Sequence, residues 1–99
     1  LTNPYYEISR YANTIESGIN RTTPVWMYPE GTSLYKVMDM SGNVFEWQAN
    51  HRGKYEDSKT LLGGCWGSPC GLAKVSFRHS NNPFGRNHSS GFRVLALPN

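Results

Sequence analysis

The chain has 99 residues, ten Lys and Arg against seven Asp and Glu, a formal net charge of +3 and 37% hydrophobic residues. That length supports one domain with a marginal core, of the kind that needs a staple or a metal when it is rich in loops. The basic residues are scattered, with no basic run and no nucleic-acid motif, so no nucleic-acid partner is expected. The longest apolar run near the end, Val94-Leu95-Ala96-Leu97, is too short to span a bilayer, so no membrane partner is expected either.

In chain order, residues 1 to 35 carry Asn, Pro, Ser, Thr and Gly at short intervals and read as an ordered, irregular loop region. Residues 36 to 47, 60 to 66, 73 to 78 and 91 to 97 are the strand candidates, separated by turns. The polar segment from His79 to Ser90, with Pro83 and Gly85, reads as an exposed loop. Nothing repeats, and no interdomain linker interrupts the chain, so residues 1–99 read as a single domain. Two cysteines and three histidines give no customary zinc spacing.

Three blocks carry the chemistry. In the first, Asp39-Met40-Ser41-Gly42-Asn43-Val44-Phe45-Glu46-Trp47, a Ser-Gly-Asn turn leads into a strand with Phe45 and Trp47 on one face and Val44 and Glu46 on the other. Two carboxylates and a flexible glycine within eight residues suit a hard cation such as Ca²⁺, which takes carboxylates together with backbone carbonyls. The bland alternative is a turn entering a core strand, with Asp39 and Glu46 bonded to backbone amides. The second block is Gly63-Gly64-Cys65-Trp66 and the third Gly91-Phe92-Arg93.

Together, and with Ala12-Asn13-Thr14, Glu16-Ser17-Gly18, Arg21 to Val25 and Tyr28-Pro29 ahead of them, these blocks resemble the formylglycine-generating-enzyme (sulfatase-modifying factor) family. The resemblance implies an α+β, C-type-lectin-like fold, loop-rich with short antiparallel strands, and it covers only the C-terminal part of the family's longer domain. The N-terminal part is therefore expected to be absent, replaced or supplied by a second chain, with Leu1 a truncation or processing point. Carried over residue by residue, the family's calcium site falls on Asp39, Gly42, Val44 and Glu46. A second family site falls on Asn13, Thr14 and Ile19, with Ser17 where the family has Asp and Glu16 as a substitute.

The resemblance also bears on Cys65 and Cys70, because family enzymes use a Cys-x4-Cys pair that binds copper, a soft-ligand site. The spacing matches, but Cys65 sits directly before Trp66, out of register with the enzymes counted from Gly63. An oxidase that converts a substrate cysteine to formylglycine with copper is therefore the alternative reading, and a partner-assembly domain is a third.

The run from Gly63 to Arg93 also resembles the variable region of proteins diversified by diversity-generating retroelements, in which mutagenised Asn codons vary. Adenine changes in AAC or AAT never give Lys, Gln, Glu, Met or Trp. Positions 67 to 71, 77, 79 to 82, 84, 85 and 87 to 90 hold only Gly, Ser, Pro, Cys, Phe, His and Asn, a chance of about a few per cent at ordinary usage. On this reading the module is non-enzymatic. It presents Gly67, Ser68, Cys70, Phe77, His79, Ser80, Asn81, Asn82, Phe84, Asn87, His88 and Ser89 to a protein or cell-surface ligand, with Phe77 and Phe84 as apolar anchors. Trp47, Trp66 and Phe92 are expected in the core. Arg78 and Arg93 are expected to brace loops by satisfying backbone carbonyls.

Overall fold

A computed structural model of the chain describes residues 7–51, 58–74, 77–82 and 84–96. Four short strands form one mixed sheet: β1 (Phe45–His51), β2 (Lys59–Leu62), β3 (His79–Asn81) and β4 (Ser90–Gly91), in the order β3-β2-β1-β4. β1 pairs antiparallel with β2, and β2 with β3, whereas β1 and β4 run parallel. The helical pieces are 3₁₀ turns at Ile8–Arg10, Ile15–Ser17, Pro29–Gly31 and Cys70–Ala73. No helix among the described residues is long and apolar enough to cross a membrane.

Several boundaries differ from those expected. Residues 36 to 44 form a loop, because Lys36, Asp39, Gly42 and Asn43 all take positive φ, which no strand accommodates. The expected strand over 73 to 78 is partly a 3₁₀ turn; its Val75 and Ser76 lie outside the described residues, as do Pro83 and Leu97. The expected strand over 91 to 97 shrinks to Ser90–Gly91, and residues 92 to 96 carry no regular structure. Conversely, His79–Asn81, expected as loop, is an edge strand whose pairing with Lys59 to Leu61 overrides its polar composition. Beside its two antiparallel pairings, the sheet has one parallel pair, β1 with β4.

The apolar core is small. Phe45, Leu61 and Cys65 form its buried cluster, with Trp47 and Phe77 packed partly against it. Outside that cluster the buried residues among those described are the polar Asn13, Thr14, Asp39, Asn43, Thr60 and Ser68, with the apolar Ala12, Tyr28 and Ala73. Phe92 is not in the core; it is 76% exposed, because the chain leaves the sheet at Gly91 before its side chain can turn inward. Trp66 is only half-buried.

Asn43 satisfies much of this polar interior. Its Nδ2 donates to the Thr23 carbonyl at 3.1 Å and to Asp39 Oδ2 at 3.0 Å, while its Oδ1 accepts the Thr23 N–H at 2.9 Å. On the backbone, its N–H donates to Asn13 O at 2.7 Å and its carbonyl accepts Trp66 N–H at 2.8 Å. Gly42 beside it lies so close to Asn13 that a Cβ would stand 2.5 Å from the Asn13 carbonyl oxygen, a contact only glycine avoids. Replacing Asn43 by Ala strands several buried groups at about 1–3 kcal/mol each, so a loss of at least ~3 kcal/mol is expected in urea melts. Phe92→Ala should stay within about 0.5 kcal/mol, as exposed positions do. Comparable losses for the two variants would contradict this assignment of the core.

Candidate functional site

The loop ahead of β1 sets Asp39 and Glu46 on either side of Arg93. The Arg93 guanidinium grips both Glu46 oxygens, Nε on Oε1 and Nη2 on Oε2, the latter at 2.9 Å. Its Nη1 donates to Met38 O and its Nη2 to Asp39 O, each at 2.8 Å. Arg93 therefore braces the loop through backbone carbonyls, as its position in the sequence led one to expect, and also locks that loop to β1. The Glu46 hydrogen bonds hold its guanidinium more firmly charged than usual.

Asp39 is different. It is 4% exposed, and while its Oδ2 accepts from Asn43, its Oδ1 has no hydrogen-bond partner among the described residues. Burial pushes its carboxyl up to about 6, against the opposing pull of the Asn43 hydrogen bond and the Arg93 charge. A buried acceptor without a donor, on a carboxylate beside the Gly42–Val44 turn, has the chemistry a hard cation would satisfy. Asp39, Gly42, Val44 and Glu46 lie on one short segment, and both Glu46 oxygens already accept from Arg93.

The residues of the second carried-over set hydrogen-bond among themselves and their neighbours. Asn13 Oδ1 already accepts from Ser17 Oγ at 2.8 Å, and its Nδ2 donates to Arg21 O at 2.8 Å. The Thr14 carbonyl accepts both the N–H and the hydroxyl of Ser17. Glu16 is engaged as well, by Thr14 Oγ1 at 2.7 Å and Cys70 N–H at 2.8 Å. Burial acts to raise the Glu16 carboxyl, but these donors outweigh it and bring the pKa below its ordinary value. Ile19 is half-buried beyond the Ile15–Ser17 turn. Ser17, in place of an acid, bonds both Asn13 Oδ1 and the Thr14 carbonyl.

Both cysteines are free. The Cys65 thiol is buried in the core cluster with Sγ 3.0 Å from Ser68 Oγ. Cys70 begins a 3₁₀ turn against Glu16, and burial followed by the Glu16 charge pushes its thiol pKa up, away from the reactive thiolate. The two sulfurs therefore sit in unlike surroundings.

The residues of the expected display surface separate into two groups. Gly67, His79, Asn82, Phe84, Asn87 and His88 are exposed, Phe84 to 89%. Ser80, Asn81 and Ser89 are half-buried. Asn81, Asn82 and Asn87 use their Oδ1 atoms to accept local backbone N–H groups at 2.8–2.9 Å, so they shape the loops that carry their neighbours. The His88 ring rests against Trp66, centroids 5.3 Å apart, and the His79 ring lies against Phe45 at 5.2 Å, so both imidazoles are seated on the scaffold. Two residues depart from the expectation. Ser68 is buried against Cys65, and Phe77 packs partly on the core, so neither is a displayed contact.

The roles of Asn43 and of the Arg93–Glu46 pair escaped the sequence reading. The signal for Asn43 was its place after Gly42, since Asn is the side chain that best tolerates the left-handed turn there. For Arg93 the signal was only the general one that arginine braces loops.

Asp39 yields a pH dependence. Folding raises its pKa above the ~3.9 of an unfolded Asp, so folding disfavours the charged form. The cost is absent below about pH 4, grows up to about 6 and is complete above that. In chelator, melting temperature should fall across that interval as pH rises, and Asp39→Asn should flatten the fall; parallel profiles for the two proteins would refute the assignment.

Comparison with known proteins places this geometry. The family model described as "Sulfatase-modifying factor enzyme 1-like domain" matches residues 2–97. The chain is 37% identical over 89 residues to the serine/threonine-protein kinase pkn1 of Chlamydia caviae, covering 73% of this chain and 14% of that protein. It is 30% identical over 95 residues to the hercynine oxygenase of Mycolicibacterium smegmatis, covering 75% of this chain and 22% of that one. Among solved structures, Treponema denticola variable protein 1 superposes with a TM-score of 0.80 at 24% identity, over 92% of this chain and 37% of the other. The chain thus spans only a small part of these relatives. Its small mixed sheet and long loops are those of the C-type-lectin-like fold, and the chain belongs to the sulfatase-modifying factor enzyme 1-like family.

Proposed function

We propose that this domain is a non-enzymatic binding module, of the kind diversified by a retroelement, which presents a variable C-terminal surface to a protein or cell-surface ligand. The observation that carries this reading is the division of labour between positions. The sixteen-position run that lacks Lys, Gln, Glu, Met and Trp includes the exposed Gly67, His79, Asn82, Phe84, Asn87 and His88. Trp66, Arg93, Gly42 and Asn43, which tie separate segments together, lie outside it, while Ser68 and Phe77, which pack on the core, and Asn81, Asn82 and Asn87, which shape their own loops, lie within it. Loops on a hydrogen-bonded scaffold can change side chains without opening the core. The likeness in fold to a variable protein supports the same reading.

Phe84 is the apolar anchor of that surface, with His79 and His88 as adaptable hydrogen-bonding partners. Phe77 and Ser68 belong to its support. An oxidase using Cys65, Cys70 and copper is the second reading, favoured by the oxygenase relative. Against it stand the core position of the Cys65 thiol and the raised pKa of Cys70.

Two measurements separate these readings. Ser substitutions at His79, Phe84 and His88 should each leave stability within about 0.5 kcal/mol in denaturant melts, the range for surface positions. The DNA flanking the gene should carry a reverse transcriptase and a near-identical repeat differing at adenines. Loop variants that unfold the domain, or flanks with no such repeat, would sink the display reading. Conversion of a cysteine peptide to the aldehyde that vanishes in Cys70→Ser would install the oxidase.

The same module takes calcium at Asp39, Gly42, Val44 and Glu46 in this proposal, supported by the unpartnered Asp39 Oδ1. Ligand binding to the native state alone adds about 2.7 kcal/mol at a hundredfold excess over the dissociation constant. Calcium should therefore raise the melting temperature at pH 7.5, and Glu46→Gln should remove most of the gain. Superimposable melts in calcium and in chelator would dispose of this site.

A further inference from the structure

Charge is distributed unevenly along this chain. The seven carboxylate side chains all lie at or before Asp57, and from Ser58 to Asn99 there is none. The cations of that second part are Lys59, Lys74, Arg78, Arg86 and Arg93. Two of them are committed internally: Arg93 holds Glu46, and Lys59 Nζ donates to the Ala49 carbonyl at 2.8 Å. Arg78 and Arg86 are different. Both are exposed, and neither guanidinium has a hydrogen bond or ion pair to the described residues. Of the two arginines expected to brace loops, Arg93 does so through the Met38 and Asp39 carbonyls, whereas Arg78 has no such bond among the described residues.

These two cations flank the exposed part of the display run. Arg78 immediately precedes β3. Arg86 follows the turn in which Asn82 accepts the Phe84 N–H through Oδ1 at 2.9 Å and the Gly85 N–H through its carbonyl at 2.8 Å. The two ends of the segment meet on β1: the His79 ring lies 5.2 Å from the Phe45 ring, and Phe45 N–H donates to Ser89 O at 2.7 Å. Between the arginines in sequence stands Phe84, 89% exposed on the turn that Asn82 fixes. A guanidinium in water needs no partner, but a ligand that buries Phe84 strips water from its neighbour Arg86 as well. That desolvation is costly unless the ligand supplies acceptors, and the planar fork of arginine suits carboxylates best.

We propose that the display surface takes an acidic protein ligand, one that offers an apolar pocket to Phe84 and carboxylates at the pocket's rim to Arg78 and Arg86. The inference rests on the display reading above and adds to it the chemical class of the ligand. Neither arginine is among the positions that lack Lys, Gln, Glu, Met and Trp, so on that reading both belong to the constant frame. They select for negative charge and steer the encounter, while the varied side chains choose among acidic partners. A sulfated sugar chain supplies the charge without an apolar pocket for the phenyl ring, which is why a protein surface fits better.

The test uses the protein expressed from its native gene, with a phage-displayed library of random peptides as the probe. The pool recovered on the wild type, read without any variant, should be enriched in Asp and Glu around a bulky apolar residue. Its members should bind the Arg78→Gln/Arg86→Gln double variant and Phe84→Ser each about tenfold more weakly, the scale of two surface ion pairs or one aromatic anchor. A pool without acidic enrichment whose members still lose binding in Phe84→Ser would overturn the charge inference and leave the display reading standing. A pool indifferent to every one of these changes would overturn both. Dextran sulfate or phosphatidylserine vesicles that bind the wild type as tightly as the peptides do, and Phe84→Ser no less tightly, would assign the arginines to a polyanion or a membrane and overturn the protein ligand.

Discussion

The structure depends above all on how Asn43 is used. One side chain and its own peptide group tie four separate stretches of chain together: Thr23 in the irregular first third, Asn13 beyond it, Asp39 in the approach to β1, and Trp66 after β2. None of those stretches has enough regular secondary structure to satisfy its own backbone, and buried peptide groups left without partners are costly. The left-handed turn at Gly42 and Asn43 makes this possible, because it points the amide inward while the chain behind it passes within van der Waals limits of Asn13. A loop-rich domain with a three-residue buried apolar cluster holds together by such directional contacts more than by burial of area.

Arg93 extends the same logic to the end of the chain. β4 is only two residues long and pairs parallel with β1, a weak attachment by itself. The forked contact with Glu46 and the two carbonyl contacts at Met38 and Asp39 fasten the chain immediately after that strand. The guanidinium is suited to this because its donors are fixed in one plane and can serve a carboxylate and carbonyls together. The pair also confines Glu46, so that any cation at Asp39 shares a carboxylate already in use.

The opposite end of the molecule obeys a looser rule. Between His79 and Ser89, asparagine side chains accept nearby N–H groups and the imidazoles rest on Trp66 and Phe45. Such contacts hold a loop's path while leaving its outward side chains, Phe84 first among them, outside the packing.

Much was legible in the sequence. The turn before Phe45, the start of β1 and most of β2 follow from local pattern, since alternation and turn residues act over a few positions, whereas the lectin-like class followed from the family resemblance of the motifs. The burial of individual side chains was not legible. Phe92 and Phe77 look alike as aromatic residues near strand ends, yet one faces solvent and the other the core, because β4 stops at Gly91 while the chain near Phe77 lies over Leu61 and Cys65. His79–Asn81 reads as loop by composition and becomes a strand because Lys59 to Leu61 offer it an edge. Nothing in the pattern of Asp39 distinguishes its satisfied oxygen from its stranded one. Local chemistry determined the turn ahead of Phe45 and the extended starts of β1 and β2. Which residues are buried, paired or left without a partner was decided by contacts between segments far apart in sequence, and no short-range pattern encodes those.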